Sequence, residues 1–479
     1  MSSLSDCPAI DITTESILNK IRELPLKCSR APEGIPPIVY RRLALSLADP
    51  LCLIYRRSYE EGTVPHYFRL SVVTPVHKKN SKSEIDNYRP VAQESIACVI
   101  FEKIVVDHIS HCLSSKGLLD DAQHGFTKGK STSTQLVGMT QDWAMFRNNR
   151  QAFDCVYFDF SKAFDRVCHS RLLVKLHRLA IDNKTISWIS SYLQDRKFRV
   201  KLNSTFSSPG DCPSGVPQGS CVGPLLFCIF ILDLKQVIPT GVTHKLYADD
   251  LKLYARCDNV AGRVLLQSAI ESVAKWCDDN GMVISLPKCA TMSSKVNDSV
   301  YYLNGVPIPK CDSMRDLGVT VTTDLNFERH IADVVRSANA VCNTAFRCFI
   351  VRNPQLYVTL YNSLVVPKYL YCSEVWRPYL KRHTDALVRV QRRFIRRISI
   401  RCGVARNSIQ LKPIDVLHDA ADLRMYAKLC KLSLVDRFLQ TRSNNLRSGL
   451  TICALEVART ERIDNMFSWR VARLLRQRD

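Results

Sequence analysis

The sequence predicts an α+β protein, and three observations carry that reading. Strand-like alternation and helical spacing are mixed along the chain without the regular alternation of a doubly wound fold. A composition of 46% hydrophobic and 23% charged residues is that of a globular chain and excludes disorder throughout, while Gly 17 and Pro 21 exclude a collagen-like one. At 479 residues the chain has room for roughly two to four domains or one multi-lobed body.

The elements follow in order. A polar lead-in carries a short helical stretch, Ile17 to Leu24. The Pro32-Glu-Gly-Ile-Pro-Pro37 segment breaks the chain before an amphipathic helix, Val39 to Tyr59, whose apolar face is set by Leu43, Leu47, Leu51 and Ile54. Ser71 to Val76 alternates and is β-branched, so it predicts a strand running into the basic turn His77 to Asn80. A helix is expected over Ile96 to Leu113 and a strand with an internal acid over Ala152 to Phe160. Helices follow at Ser170 to Leu179 and Lys184 to Leu193, then a strand, Arg199 to Leu202, and a Gly/Pro-rich turn. Gly223 to Leu234 predicts a buried helix, and His244 to Ala255 a hairpin with Asp249-Asp250 at its tip. Phe327 to Ile350 and Val358 to Tyr371 have helical spacing.

Charge narrows the function. The 67 basic and 45 acidic residues leave +22, which calls for a polyanionic partner. A membrane is the weaker choice, because the longest apolar run, Pro224 to Leu232, is about half the length of a spanning helix. Met1 to Asp11 lacks the basic-then-apolar order of a secretion signal, so the expected location is intracellular, in nucleus or cytoplasm. The 20 cysteines are scattered singly with no CxxC pair, which reads as reduced thiols without a structural metal. From Lys381 to Asp479 there are 22 Lys or Arg against 9 Asp or Glu, on segments with helical spacing. A solvated face is the ordinary reading of such a run. Here the bias has one sign and is interleaved with Phe394, Tyr426, Phe438, Phe467 and Trp469, so nucleic-acid contact is the expectation.

Two acidic motifs lie on predicted strands: Phe158-Asp159-Phe160-Ser161-Lys162-Ala163-Phe164-Asp165 and Tyr247-Ala248-Asp249-Asp250. An unpaired carboxylate in an apolar strand costs several kcal/mol, so these acids need cations. Two hard divalent ions about 4 Å apart would satisfy them and align a 3′-hydroxyl with a nucleotide phosphate. Taken alone, Asp249-Asp250 would read as a plain turn.

The motifs do not stand alone. Ala31-Pro-Glu-Gly-Ile-Pro36, Val73-Thr-Pro-Val-His-Lys-Lys79, Asn87-Tyr-Arg-Pro90, Gln123-His-Gly-Phe126 with Lys130-Ser-Thr132, the Asp159 strand, Ser214-Gly-Val-Pro-Gln-Gly-Ser220, the Asp249 hairpin, Ser285-Leu-Pro-Lys288 and Asp316-Leu-Gly-Val319 occur in succession. From about Pro32 to Arg397 this order resembles the reverse transcriptases of non-LTR retrotransposons of the jockey and chicken-repeat type. The resemblance implies a right-hand polymerase of fingers, palm and thumb with a basic helical C-terminal region. It implies copying of an RNA template into DNA from deoxynucleoside triphosphates, on a DNA primer or nicked target DNA, with two Mg²⁺ ions for which Mn²⁺ can substitute.

By the same resemblance, Asp159 and Asp249 are the main metal ligands, Asp250 is an additional acid, and the Phe160 carbonyl joins them. Lys78 and Arg89 hold the triphosphate, the first as a point charge and the second as a fork. Phe164 lies under the sugar of the incoming nucleotide, with a plain core phenylalanine as the other reading; Asp165 fixes the turn after the strand. Gly215, Gln218 and Gly219 form the loop that lets the template–nucleotide pair approach. Lys288 corresponds to the general acid for pyrophosphate release, and Leu317 and Gly318 to the primer-grip turn.

The implied division is a lead-in at 1–31, fingers and palm at 32–319 with a core at about 70–320, a thumb at 320–375, and the basic region at 376–479. Thirty leading residues cannot hold the endonuclease many such elements encode, so one supplied by another domain or chain is the expected partner. The chain is then expected to be a polymerase segment of a larger element or a truncated copy. A catalytically inactive, nucleic-acid-binding remnant is the alternative.

Overall fold

The structure, a computed structural model, describes residues 7–26, 31–78, 80–295, 299–443, 450–454 and 456–476. Lys79 of the basic turn, the first six residues of the lead-in and the last three of the basic region lie outside the described residues. The chain forms two compact units. The first comprises Met1–Phe126, Asp159–Ile238 and Ser272–Ser285; the second comprises Thr127–Phe158, Pro239–Glu271 and Leu286–Asp479. Strands and helices are mixed in both, as the α+β expectation requires. No helix among the described residues is long and apolar enough to cross a membrane.

In the first unit, the Leu70–His77 strand lies between Tyr88–Gln93, antiparallel to it, and Lys197–Leu202, parallel to it. The parallel pairing needs a long crossover, which the intervening helices supply. Ser95 caps the Ile96–Ser115 helix by accepting from the Cys98 N–H at 3.1 Å, and Asp182 caps Asn183–Leu193 by accepting from Thr185. The helix expected over Val39 to Tyr59 is two helices, Pro37–Arg42 and Ala44–Glu60, divided at Leu43. Its buried face also differs. Leu43 and Ile54 are exposed, and Ala44, Ala48, Leu51, Tyr55 and Tyr59 point inward. The tyrosines decide it, because they bury more apolar area while keeping polar partners. Tyr55 stacks on Phe101 at 4.6 Å and donates to the Ala97 carbonyl at 2.6 Å.

The second unit is built on an antiparallel sheet in the order Val242–Tyr247, Asp250–Arg256, Phe153–Phe158, Ala290–Ser293. Phe153–Phe158 is inner and buried at every residue. Trp143, from the Thr132–Asn148 helix, covers it against Phe153 and Tyr254. The same core continues through the Glu328–Cys348, Lys381–Cys402 and Ile414–Lys431 helices. The first two of these run parallel: Arg382 pairs with Glu328 at 3.2 Å, Arg397 donates to Asn343 at 2.6 Å, and Arg401 donates to the Phe346 carbonyl at 2.6 Å.

One expectation is modified here and another fails, each for an identifiable reason. The helix over Val358 to Tyr371 is present but not plain α-helix, because Pro354–Leu360 passes through a wide π turn at Tyr361–Val365 into Val366–Leu370. Pro367 has no N–H for the preceding turn and its ring crowds that turn's carbonyl, and the wider turn relieves both. The C-terminal region is not helical throughout, because Leu439–Ser443 pairs with Leu450–Ala454 as a hairpin. Nor are its aromatics surface groups. Phe394, Phe438, Phe467 and Trp469 are all at most 5% exposed and Tyr426 is half-buried against the same core, so the spacing of the four buried rings among the arginines reflects packing and not an interleaved nucleic-acid surface.

Candidate functional site

In the second unit, the carboxylate hairpin closes with Tyr247 paired to Asp250, so Ala248 and Asp249 make the turn. The expected tip, Asp249-Asp250, is thus displaced by one residue, and Asp250 begins the returning strand. A two-residue loop matches the twist of paired strands only when φ turns positive within it. Ala248 has φ +56, a conformation that costs an L-residue roughly 1–2 kcal/mol. Asp249 is half-buried and Asp250 exposed. Phe158 pairs with Leu251, so the inner strand runs out at the turn end of the hairpin, and the next residue along the chain is Asp159. Lys288 is exposed and stands two residues before Ala290, whose strand partner is Tyr157.

A second tight hairpin joins Met314–Asp316 to Val319–Val321 through Leu317 and Gly318, which have φ +44 and +85. Tyr371 donates its hydroxyl to the Leu317 carbonyl at 2.8 Å. Asp316, the last residue before the turn, is ion-paired to Lys252. The sequence motif includes Asp316 but does not reveal this partner.

In the first unit the chain continues from Asp159, which is half-buried and lies one residue past the observed strand Phe153–Phe158, not inside a strand running to Phe160 as expected. The Ser285 N–H donates to the Asp159 carbonyl and the Ser161 N–H to the Val283 carbonyl, both at 2.8 Å. These bonds make an isolated antiparallel bridge of Phe160 with Ile284, and neither uses the Phe160 carbonyl. Phe164 then opens a short 3-10 turn. Its ring stacks on Phe227 at 4.5 Å and 13°, and meets Phe126 edge-on at 6.1 Å. Phe164 therefore has core packing on one side while remaining half-buried. Burial pushes the Asp165 carboxyl up, against the pull of Lys162 and Lys78.

The glycine loop lies along this turn. Val216 N–H donates to the Phe164 carbonyl and Gly215 N–H to the Val167 carbonyl, each at 2.9 Å. The loop is also pinned to the Tyr88–Gln93 strand, where the Ala92 N–H donates to the Gln218 carbonyl at 2.8 Å. A Cβ on Gly219 would stand 2.2 Å from the Ala92 carbonyl oxygen, so only glycine fits. Lys78 and Arg89 are exposed at one end of the same strand pair, where Val76 faces Arg89.

Behind the loop lies a buried network that the sequence did not disclose. Glu94 pairs with Arg196, and the Tyr192 hydroxyl is within hydrogen-bonding distance of both Glu94 at 3.0 Å and Glu102 at 2.7 Å, with one proton to share between them. Glu102 also accepts from the Cys221 N–H at 2.6 Å, fixing the start of the Val222–Phe230 helix directly after the loop. Burial, then the like charge of Glu102, pushes the Glu94 carboxyl well above its usual range. Glu94, Cys98 and Glu102 have the spacing of metal ligands, but their oxygens already serve these protein donors. The one visible hint was an acid on the apolar face of a helix.

Each unit thus gathers part of the predicted set. Phe160, Phe164, Gly215, Gln218, Gly219, Lys78 and Arg89 belong to the first, with Asp159 at its boundary; Asp249, Asp250, Lys288, Leu317 and Gly318 belong to the second.

Residues 76–321 match the family described as reverse transcriptase (RNA-dependent DNA polymerase). The chain is 27% identical over 411 residues to the probable RNA-directed DNA polymerase from transposon BS of Drosophila melanogaster, covering 82% of this chain and 45% of that one. It is 26% identical over 414 residues to the RNA-directed DNA polymerase from mobile element jockey of Drosophila melanogaster, covering 82% and 44%. The chain spans less than half the length of these relatives. Among solved structures, an apo telomerase from Candida tropicalis, truncated from the C-terminal domain, aligns over 62% of each chain at 12% identity and a TM-score of 0.39. A likeness that loose carries no argument.

Proposed function

Because the chain belongs to the reverse transcriptase (RNA-dependent DNA polymerase) family, we propose that it extends a DNA 3′ end on an RNA template, consuming deoxynucleoside triphosphates and releasing pyrophosphate. The observation that carries this reading is the sheet itself. Asp249 sits in a strained two-residue turn, and the inner strand ends beside that turn just before Asp159.

The donor set fits a hard cation. Asp159, Asp249, Asp250 and the Phe160 carbonyl offer only oxygen, which suits Mg²⁺ and, in its place, Mn²⁺. When bound, two such ions would neutralise the charge that develops on the reacting phosphate. The chain's own groups supply the rest. Lys78 and Arg89 bind the triphosphate, and the Gln218 loop seats the nucleotide. Gly215 and Gly219, whose Cβ sides are closed by the Asp165 and Ala92 backbone, keep tight the loop against which the template pair seats, and Leu317 and Gly318 hold the primer end. Lys288 gives a proton to the leaving pyrophosphate. The Phe164 ring fills the space of a ribose 2′-hydroxyl, which disfavours an enzyme making RNA. Fingers, palm and thumb then take the divisions expected above.

Asp249→Asn should abolish primer extension on an RNA template with Mg²⁺ while leaving the melting curve and template binding in place. Extension by this variant at close to the parent rate removes the two-metal assignment. A parent that binds template–primer and never extends it is the inactive remnant.

A further inference from the structure

Lys252 and Asp316 form an ion pair at 1% and 4% side-chain exposure. Their 64-residue separation and their burial raise the question of what the pair does. Taking two charges out of water costs several kcal/mol each, and well-packed apolar residues in their place are often as stable or more so. Stability alone therefore does not account for the pair. Its surroundings are complete on the lysine side: Nζ also donates to Gln135 Oε1 at 3.0 Å and lies 5.6 Å from the Tyr157 ring centroid. The Tyr157 hydroxyl reaches Asp316 Oδ2 at 3.4 Å.

What the pair joins is more telling. Lys252 is two residues along the strand from Asp250 and so points to the same face of the sheet. Asp316 is the residue immediately before the Leu317–Gly318 turn. The two hairpins belong to separate sheets. The chain ahead of the second hairpin is tied at Thr291, whose carbonyl accepts from the Cys311 N–H at 2.9 Å. That strand is at the opposite edge of the sheet from Val242–Tyr247. The ion pair is a buried tie that reaches the carboxylate hairpin, and Tyr371, which holds the Leu317 carbonyl, also lies near Tyr247 of that hairpin.

We infer that Lys252 and Asp316 are positioning residues that set the offset between the Asp249 turn and the Leu317–Gly318 turn, and hence where a primer 3′ end is presented. This rests on the polymerase reading above. A charged, hydrogen-bonded pair tolerates one geometry, whereas apolar replacements can slide. A displacement of about 1 Å at reacting atoms costs up to about 100-fold in rate.

The test is the double variant Lys252→Met with Asp316→Val, which removes both charges together, studied in the full chain beside the parent. Melting temperature, template–primer affinity and single-turnover extension are measured. A melting temperature within a few degrees, an unchanged affinity and an extension rate lower by about 10- to 100-fold are expected. An unchanged rate in the double variant overturns the positioning role while the polymerase reading stands. A parent that never extends overturns both. If the double variant does not fold, Asp316→Glu keeps the charge and lengthens its arm by one methylene. A lower kcat at unchanged template–primer affinity then supports the inference, and an unchanged kcat overturns it.

Discussion

Two glycine-built turns, one in each unit, meet different kinds of neighbour. Gly219 faces backbone: its missing Cβ would press on the Ala92 carbonyl oxygen at 2.2 Å. Gly318 faces a side chain: its missing Cβ would lie 3.1 Å from the edge of the Tyr371 ring. The charge behind them differs as well. Behind the first turn two carboxyls share Tyr192 and one of them pairs with a guanidinium; behind the second, one lysine meets one aspartate. Backbone cannot yield without unmaking a strand, while a ring can rotate. The loop carrying Gln218 is therefore held more rigidly than the turn carrying Leu317.

The sharpest way to break this contrast is Gly219→Ala. It should cost on the order of 3 kcal/mol in denaturant unfolding, since both the close approach and the φ of +131 oppose a Cβ. Gly318→Ala should cost about 1 kcal/mol, from its left-handed φ with only a ring to displace. Equal losses in the two variants would erase the distinction.

Phe164 belongs to the rigid side, braced by Phe227. Phe164→Val should raise ribonucleotide over deoxynucleotide incorporation by on the order of 10- to 100-fold in kcat/KM, or about 1.4–2.7 kcal/mol. Some deoxynucleotide efficiency should go with the lost packing. If overall activity falls and the ratio holds, the ring is core and the sugar is selected elsewhere.

The two regions should also respond to pH in opposite directions. Glu94 has a raised folded value, so its contribution is full below the ordinary 4.5 and is lost as pH rises through that raised value. His330, beside the Gly318 hairpin, is pushed down from 6.5 to about 4 by burial. Its contribution is full above 6.5 and is lost as pH falls through about 4. Glu374, pushed up to about 7 by burial, opposes His330 within the same unit, so the comparison needs single-site variants. Glu94→Gln should flatten the alkaline-side decline in urea midpoint, and His330→Gln the acid-side one. A Glu94→Gln profile parallel to the parent's would mean the acid cluster titrates as ordinary carboxylates.

The smallest effect concerns the basic end. Arg389, Arg392 and Arg396 are exposed on the Lys381–Cys402 helix. Changing all three to Ala should flatten the log–log salt dependence of template–primer affinity, by roughly one unit for each phosphate no longer neutralised. A slope that does not move assigns these arginines to solvent.

Sequence by itself determined the class and the local elements. Alternation at Ser71 to Val76, helical spacing at Ser170 to Leu179 and Lys184 to Leu193, and the apolar run at Gly223 came within a few residues of the strand and helices found there. These are short-range properties, written in neighbouring side chains. Tertiary structure decided which face of Ala44–Glu60 goes inward, that the arginine-rich region hides its aromatics, and that Pro367 is accommodated by a widened turn. It also decided the pairing of Glu94 with Arg196 and of Lys252 with Asp316. Nothing in the sequence around Lys252 names a partner 64 positions away, because a buried charge is fixed by whatever the finished fold brings within reach of it, and periodicity carries no record of that distance.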